Sequence, residues 1–138
     1  MIRMMYVSAA IVALVFSAGA PVHAQLAREA AIARAEAILK NLQGGKTAEI
    51  VKEFDERLTR ELPETKLAAA WPAIVSQFGA FKSIEERREG QMKGRQAVEL
   101  FLSFEKETVV QRAVFDSEGR VAGLVFRPAS ASVLPASK

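Results

Sequence analysis

The chain of 138 residues contains no cysteine. Disulfides, thiolate metal sites, a cysteine nucleophile and the acylated cysteine of a lipoprotein are therefore excluded. Its only histidine is His23 and its only tyrosine is Tyr6. Both fall in an N-terminal segment that reads as removable, so the working protein is expected to have neither. That takes away the commonest general acid–base side chain and the commonest metal ligand. Aromatic residues make up 7% of the chain, with one tryptophan, Trp71, and the only aspartates are Asp55 and Asp116. No run of carboxylates has calcium-loop spacing. No metal, no cofactor and no catalytic residue is assigned.

Charge is balanced rather than scarce. There are 19 basic and 16 acidic side chains, a net charge of +3, and the two signs alternate, as in Glu85-Glu86-Arg87-Arg88-Glu89. No patch of lysine and arginine is interleaved with aromatics, so nucleic acid is not an expected partner.

Residues 1–24 read as a secretory signal peptide. Arg3 and the amino terminus form the positive region, Met4 to Ala18 is apolar apart from Ser8 and Ser17, and Gly19 and Pro21 break the run. Val22-His23-Ala24 suits a signal peptidase cutting before Gln25. The apolar core is about 15 residues, short of the roughly 20 that span a bilayer, so no stable membrane span is expected. The implied location is periplasmic or secreted.

Three helices are predicted next. Ala27, Ala31, Ala35, Ile38 and Leu42 form one stripe, closed by Gly44-Gly45. Thr47 reads as the N-cap of a second helix, with Ile50, Val51, Phe54, Leu58 and Leu62 on its buried side. Pro63 stops it and sits at the start of a third, where Leu67, Ala70, Trp71, Ile74, Val75 and Phe78 are buried and Gly79 ends the pattern. Pro72 is expected to kink that helix.

After Gly79 the period changes from 3.6 to 2. Phe81–Glu89 reads as a charged edge strand, then a turn at Lys93-Gly94 leads to Val98, Leu100, Leu102 and Phe104 on one face. Thr108–Phe115 and Arg120–Arg127 follow, joined by an Asp116–Gly119 hairpin loop. The prediction is an α+β domain over 25–128, three N-terminal helices packed on a four-stranded antiparallel sheet. The Pro-Ala-Ser composition of 129–138 reads as a disordered tail. The last two strands are apolar on both faces, and Phe101 points away from the helix side, so the outer face needs a cover. A homodimer packed through the sheets is the favoured cover, and the tail is the alternative.

Several strings resemble a known family: Gly79-Ala80-Phe81-Lys82-Ser83-Ile84, Phe104-Glu105-Lys106, and Phe115-Asp116 through Glu118-Gly119-Arg120-Val121-Ala122-Gly123-Leu124, with Trp71 ahead of the first. Together they are similar to the domain of unknown function 3887, over roughly Ala33 to Pro128. The resemblance implies the nuclear transport factor 2-like superfamily, a curved sheet wrapped around helices as a cone. A pocket and a dimer are frequent there. The family has no established activity. Its catalytic cousins use aspartate, histidine and tyrosine inside the cone.

Phe54, Trp71, Phe78, Phe81 and Phe104 are the candidates for lining an apolar pocket, and Arg112 for holding an acidic head group. The competing reading makes the aromatics core and pairs Arg112 with Glu99 or Glu105. Asp55 reads as a solvated residue or a general base, and Asp116 as a turn cap. The expected function is an exported, non-catalytic module binding a small apolar or amphipathic ligand or a protein partner. The alternative is a cone-fold isomerase, dehydratase or hydrolase-like enzyme using a buried carboxylate.

Overall fold

The computed structural model describes residues 26–136, and the segment read as a signal peptide lies outside them. The chain runs α1 (Arg28–Gln43), α2 (Thr47–Val51), α3 (Glu56–Glu61), α4 (Glu64–Phe78), β1 (Phe81–Met92), β2 (Arg95–Phe104), β3 (Thr108–Phe115) and β4 (Val121–Pro128). A 3-10 turn, Ala129–Ala131, follows. The strands form one antiparallel meander in the order β1-β2-β3-β4. The mixed α+β class and the four-stranded sheet are as expected.

The helix count is corrected from three to four, and the helical residues are not all N-terminal to the sheet. The segment read as one helix over 47–62 breaks at Asp55. Its carboxylate accepts from the Leu58 amide at 2.7 Å and caps α3. The backbone on either side turns to the sheet instead: the Asp55 amide donates to the Val121 carbonyl (2.9 Å) and the Val121 amide donates to the Glu53 carbonyl (2.7 Å). Phe54 makes an isolated parallel bridge to Val121. Thr47 is the first residue of α2 rather than its cap, and its hydroxyl donates to Glu64, tying α2 to α4.

α1 ends as its glycines suggest. Gly45 takes φ 71°, its amide donates to Leu42 and that of Lys46 to Asn41, the two bonds of a Schellman motif. Ala31 and Ala35 are fully buried, so α1 lies close on the sheet. Gln111 of β3 donates to the Ala35 carbonyl at 3.0 Å, and the Arg34 guanidinium lies 4.9 Å from the centre of the Phe115 ring. Gln96, Val98, Leu100, Leu102 and Phe104 of β2 and Val109, Ala113 and Phe115 of β3 form the helix-side face, and most of them join the core. Pro72 is accommodated within α4 on its exposed side.

Candidate functional site

Four of the five predicted pocket aromatics meet where the end of α4 faces the start of β1 and the end of β2. Ring centroids are 5.7 Å apart for Trp71–Phe104, 6.0 Å for Trp71–Phe81, 5.6 Å for Phe81–Phe104 and 6.2 Å for Phe78–Phe104. These are the spacings of aromatic rings packed on one another. All four belong to or pack against the hydrophobic core. Phe54 is buried elsewhere, at the α2–α3 junction. Arg112 is on the opposite face of the sheet, so the six residues do not converge on one cavity.

Gly79 sets this junction. At φ 87°, a Cβ there would lie 2.8 Å from the Glu105 Cβ. The close approach lets Glu105 accept from the Ala80 amide at 3.0 Å while the Lys106 amide donates to the Phe78 carbonyl at 2.9 Å.

The outer face has two regions. Over β1–β3, residues 131–134 cross the sheet and are held by Glu99, a fully buried glutamate of β2. Its Oε1 accepts from Ser132 Oγ (2.7 Å) and the Leu134 amide (2.9 Å). Its Oε2 accepts from the Val133 amide (3.2 Å) and from Arg112 Nε and Nη2 (3.1 and 2.9 Å). Arg112 Nη2 also donates to the Ala131 carbonyl at 2.8 Å. Arg88 lies over the Phe101 ring at 4.3 Å and donates to the Leu134 carbonyl at 2.9 Å. The segment predicted to be disordered is thus clasped through 134, because a buried carboxylate requires donors and the tail supplies three. Leu134 is buried against Gly90. Burial pushes the Glu99 carboxyl up, but the bonds from Ser132, Leu134, Val133 and Arg112 together hold it below the usual glutamate value.

Over β3–β4 the outer face stays open. A concavity of about 380 Å³ has Met92, Val114, Gly123 and Val125 among its lining residues. Among the described residues five cations line it, Arg57, Lys93, Arg95, Arg112 and Arg127, and no carboxylate does. Arg57 is committed to Glu61 and the Ala122 carbonyl, and Arg112 to the clasp. The side chains of Lys93, Arg95 and Arg127 have no ion pair or hydrogen bond among the described residues. Lys93 sits at φ 52° beside Gly94 at φ 77°, the signs of a type I′ turn, where asparagine is the favoured residue. Of these lining residues only Arg112 was assigned to a ligand site from sequence; Lys93 was read as a turn residue and the apolar outer face of the last two strands as a surface needing a cover. The available signals were a glycine inside a strand and a lysine in the turn.

The carboxylates raised as catalytic candidates have structural tasks. Asp55 caps α3, and Asp116 Oδ1 accepts from the Glu118 and Arg120 amides at 2.9 and 2.8 Å, closing the hairpin. Glu99 is ionised and saturated with donors, which makes it a weak base. A smaller cleft of about 150 Å³ between α1 and α2 is lined by Arg34 and Glu53, paired at 2.9 Å. Among the described residues no group of three His, Cys, Asp or Glu side chains is placed to hold a metal, and no helix is long and apolar enough to cross a membrane.

No curated protein and no solved structure matches the chain. The family model described as "Protein of unknown function (DUF3887)" matches residues 35–124. That span starts in the middle of α1 and ends in β4, so it takes in Gly79, the aromatic cluster, Glu99, Arg112 and Gly123. By this match the chain belongs to the DUF3887 family.

Proposed function

We propose that this protein is an exported, non-catalytic binding module whose ligand seats on the outer face of its sheet. One observation carries the reading: the open concavity over Val114, Gly123 and Val125 combines an apolar floor with three cations, Lys93, Arg95 and Arg127, that are unpaired among the described residues. Such a combination is what ligand sites use, apolar contact for affinity and a few polar groups for orientation. The aromatic cluster, by contrast, is occupied by its own rings. Export rests on the charge and hydropathy pattern of residues 1–24, and the nuclear transport factor 2-like relationship is what the resemblance to the domain of unknown function 3887 implies.

A homodimer through the outer face remains the second reading, and the apolar strip on β3–β4 favours it. Two features weaken it. Residues 131–134 already cover the β1–β3 part of the face. A two-fold axis through the rest would also bring the cations of both copies together.

Native mass spectrometry of the protein purified from its own host separates these. One chain carrying a small discrete adduct supports the binding module. Two chains without an adduct support the dimer, and a bare chain after incubation with host extract overturns the binding reading.

A further inference from the structure

The ligand class follows from three features of the outer concavity. The first is Gly123. Glycine inside a strand weakens it, and usually marks a place where something approaches the backbone closely. Here its backbone has no positive φ, and an added Cβ would meet only Val114, at 3.5 Å, an ordinary contact. No described part of the chain requires the missing side chain. What the glycine does is keep the floor between Val114 and Val125 open.

The second feature is charge. Lys93, Arg95 and Arg127 stand exposed around that floor, unpaired among the described residues, with no carboxylate lining the site. Several surface cations are paired, Arg34 with Glu53, Lys52 with Glu49, Arg87 with Glu36 and Arg120 with Asp116. Others, such as Lys40, Lys66 and Lys82, have no ion pair among the described residues but line no part of this floor. What distinguishes Lys93, Arg95 and Arg127 is that the three gather around one apolar floor. The third is Lys93 itself, held in a left-handed conformation that an unbranched cationic side chain does not favour. The turn puts a strained residue at the lip of the concavity, and strain of this kind gathers at ligand sites.

We infer that the outer concavity binds a free single-chain amphipath with an anionic, carboxylate-type head, its chain over Val114, Gly123 and Val125 and its head among Lys93, Arg95 and Arg127. This rests on the binding-module reading and specifies its ligand. About 380 Å³ is the size of a small-molecule site rather than of a protein interface.

Isothermal titration calorimetry of the full protein tests it with three probes below their micelle concentrations: dodecanoate, dodecyl maltoside and dodecyltrimethylammonium. Dodecanoate is expected to bind about tenfold more tightly than either of the others, and to weaken as salt is raised. The triple variant Lys93→Gln, Arg95→Gln, Arg127→Gln is expected to remove that preference. All three positions are exposed, so the fold survives the change. Gly123→Phe is expected to abolish binding of every probe by filling the floor. Equal binding of the three probes would overturn the anionic assignment and leave the binding module standing. Binding of anionic phospholipid vesicles with none of monomeric dodecanoate would likewise overturn it in favour of a membrane surface. Absence of binding by all probes would overturn both.

Discussion

Glu99 and Arg112 face each other across β2 and β3, 2.9 Å apart at their closest, and both also hold the C-terminal segment. The pair is more than a cross-strand ion bridge. Glu99 takes five hydrogen bonds, three of them from residues 132–134, so the clasp and the outer surface of the sheet form one unit. Glu99→Ala would leave Arg112 without its carboxylate and free the segment. Breaking a buried pair from one side costs about 3 kcal/mol, and urea denaturation should register that loss. Ser132→Ala removes one neutral donor and should cost about 1 kcal/mol.

The clasp also has a pH dependence of fixed sign. The Glu99 carboxyl titrates below glutamate's ordinary value of 4.5 in the folded chain. Its stabilisation is therefore fully present above that value and is lost as pH falls through the lower folded value. Hydrogen exchange of the Val133 and Leu134 amides should show unchanged protection from about pH 8 to about pH 5, then a steep loss in more acid solution. Loss of protection near neutral pH would contradict the account.

Gly79 should tolerate nothing larger. Alanine there meets both a positive φ and a 2.8 Å contact with the Glu105 Cβ. A loss of about 2–3 kcal/mol is expected in denaturant unfolding. Gly123→Ala should fall within about 0.5 kcal/mol of the parent, because its φ is ordinary and its contact with Val114 is unforced.

Lys93→Asn should separate stability from binding. Asparagine suits the type I′ turn better, so stability is expected to rise by up to about 1 kcal/mol. Dodecanoate affinity should fall at the same time, since the ammonium at the lip is gone. A variant that gains or loses both together would contradict the role given to Lys93.

Much of the fold was legible in the residues. The 3.6-residue stripes placed α1 and α4, and the change to period 2 after Gly79 placed the sheet. Asp55 hid the break between α2 and α3, because an apolar stripe continues through Phe54 to Leu58 while the capping carboxylate acts only locally. The tail hid its role for a different reason. Its composition resembles a linker, yet Ser132 and two backbone amides satisfy a buried charge that lies more than thirty residues earlier in the chain. Aromatic content pointed to a pocket among Trp71, Phe81 and Phe104, where the rings fill the space themselves. The outer concavity depends on the register that pairs Val114 with Gly123 and Arg112 with Val125, which no local pattern specifies.

The central claim is that ligand binds outside the sheet and not between sheet and helices. Backbone-amide NMR mapping of the isotope-labelled protein with dodecanoate tests it directly. The account predicts shifts concentrated at Arg95, Val114, Gly123 and Val125, with the Trp71 indole and the Phe104 amide unmoved. Shifts centred on Trp71, Phe81 and Phe104, or none at all, would contradict it.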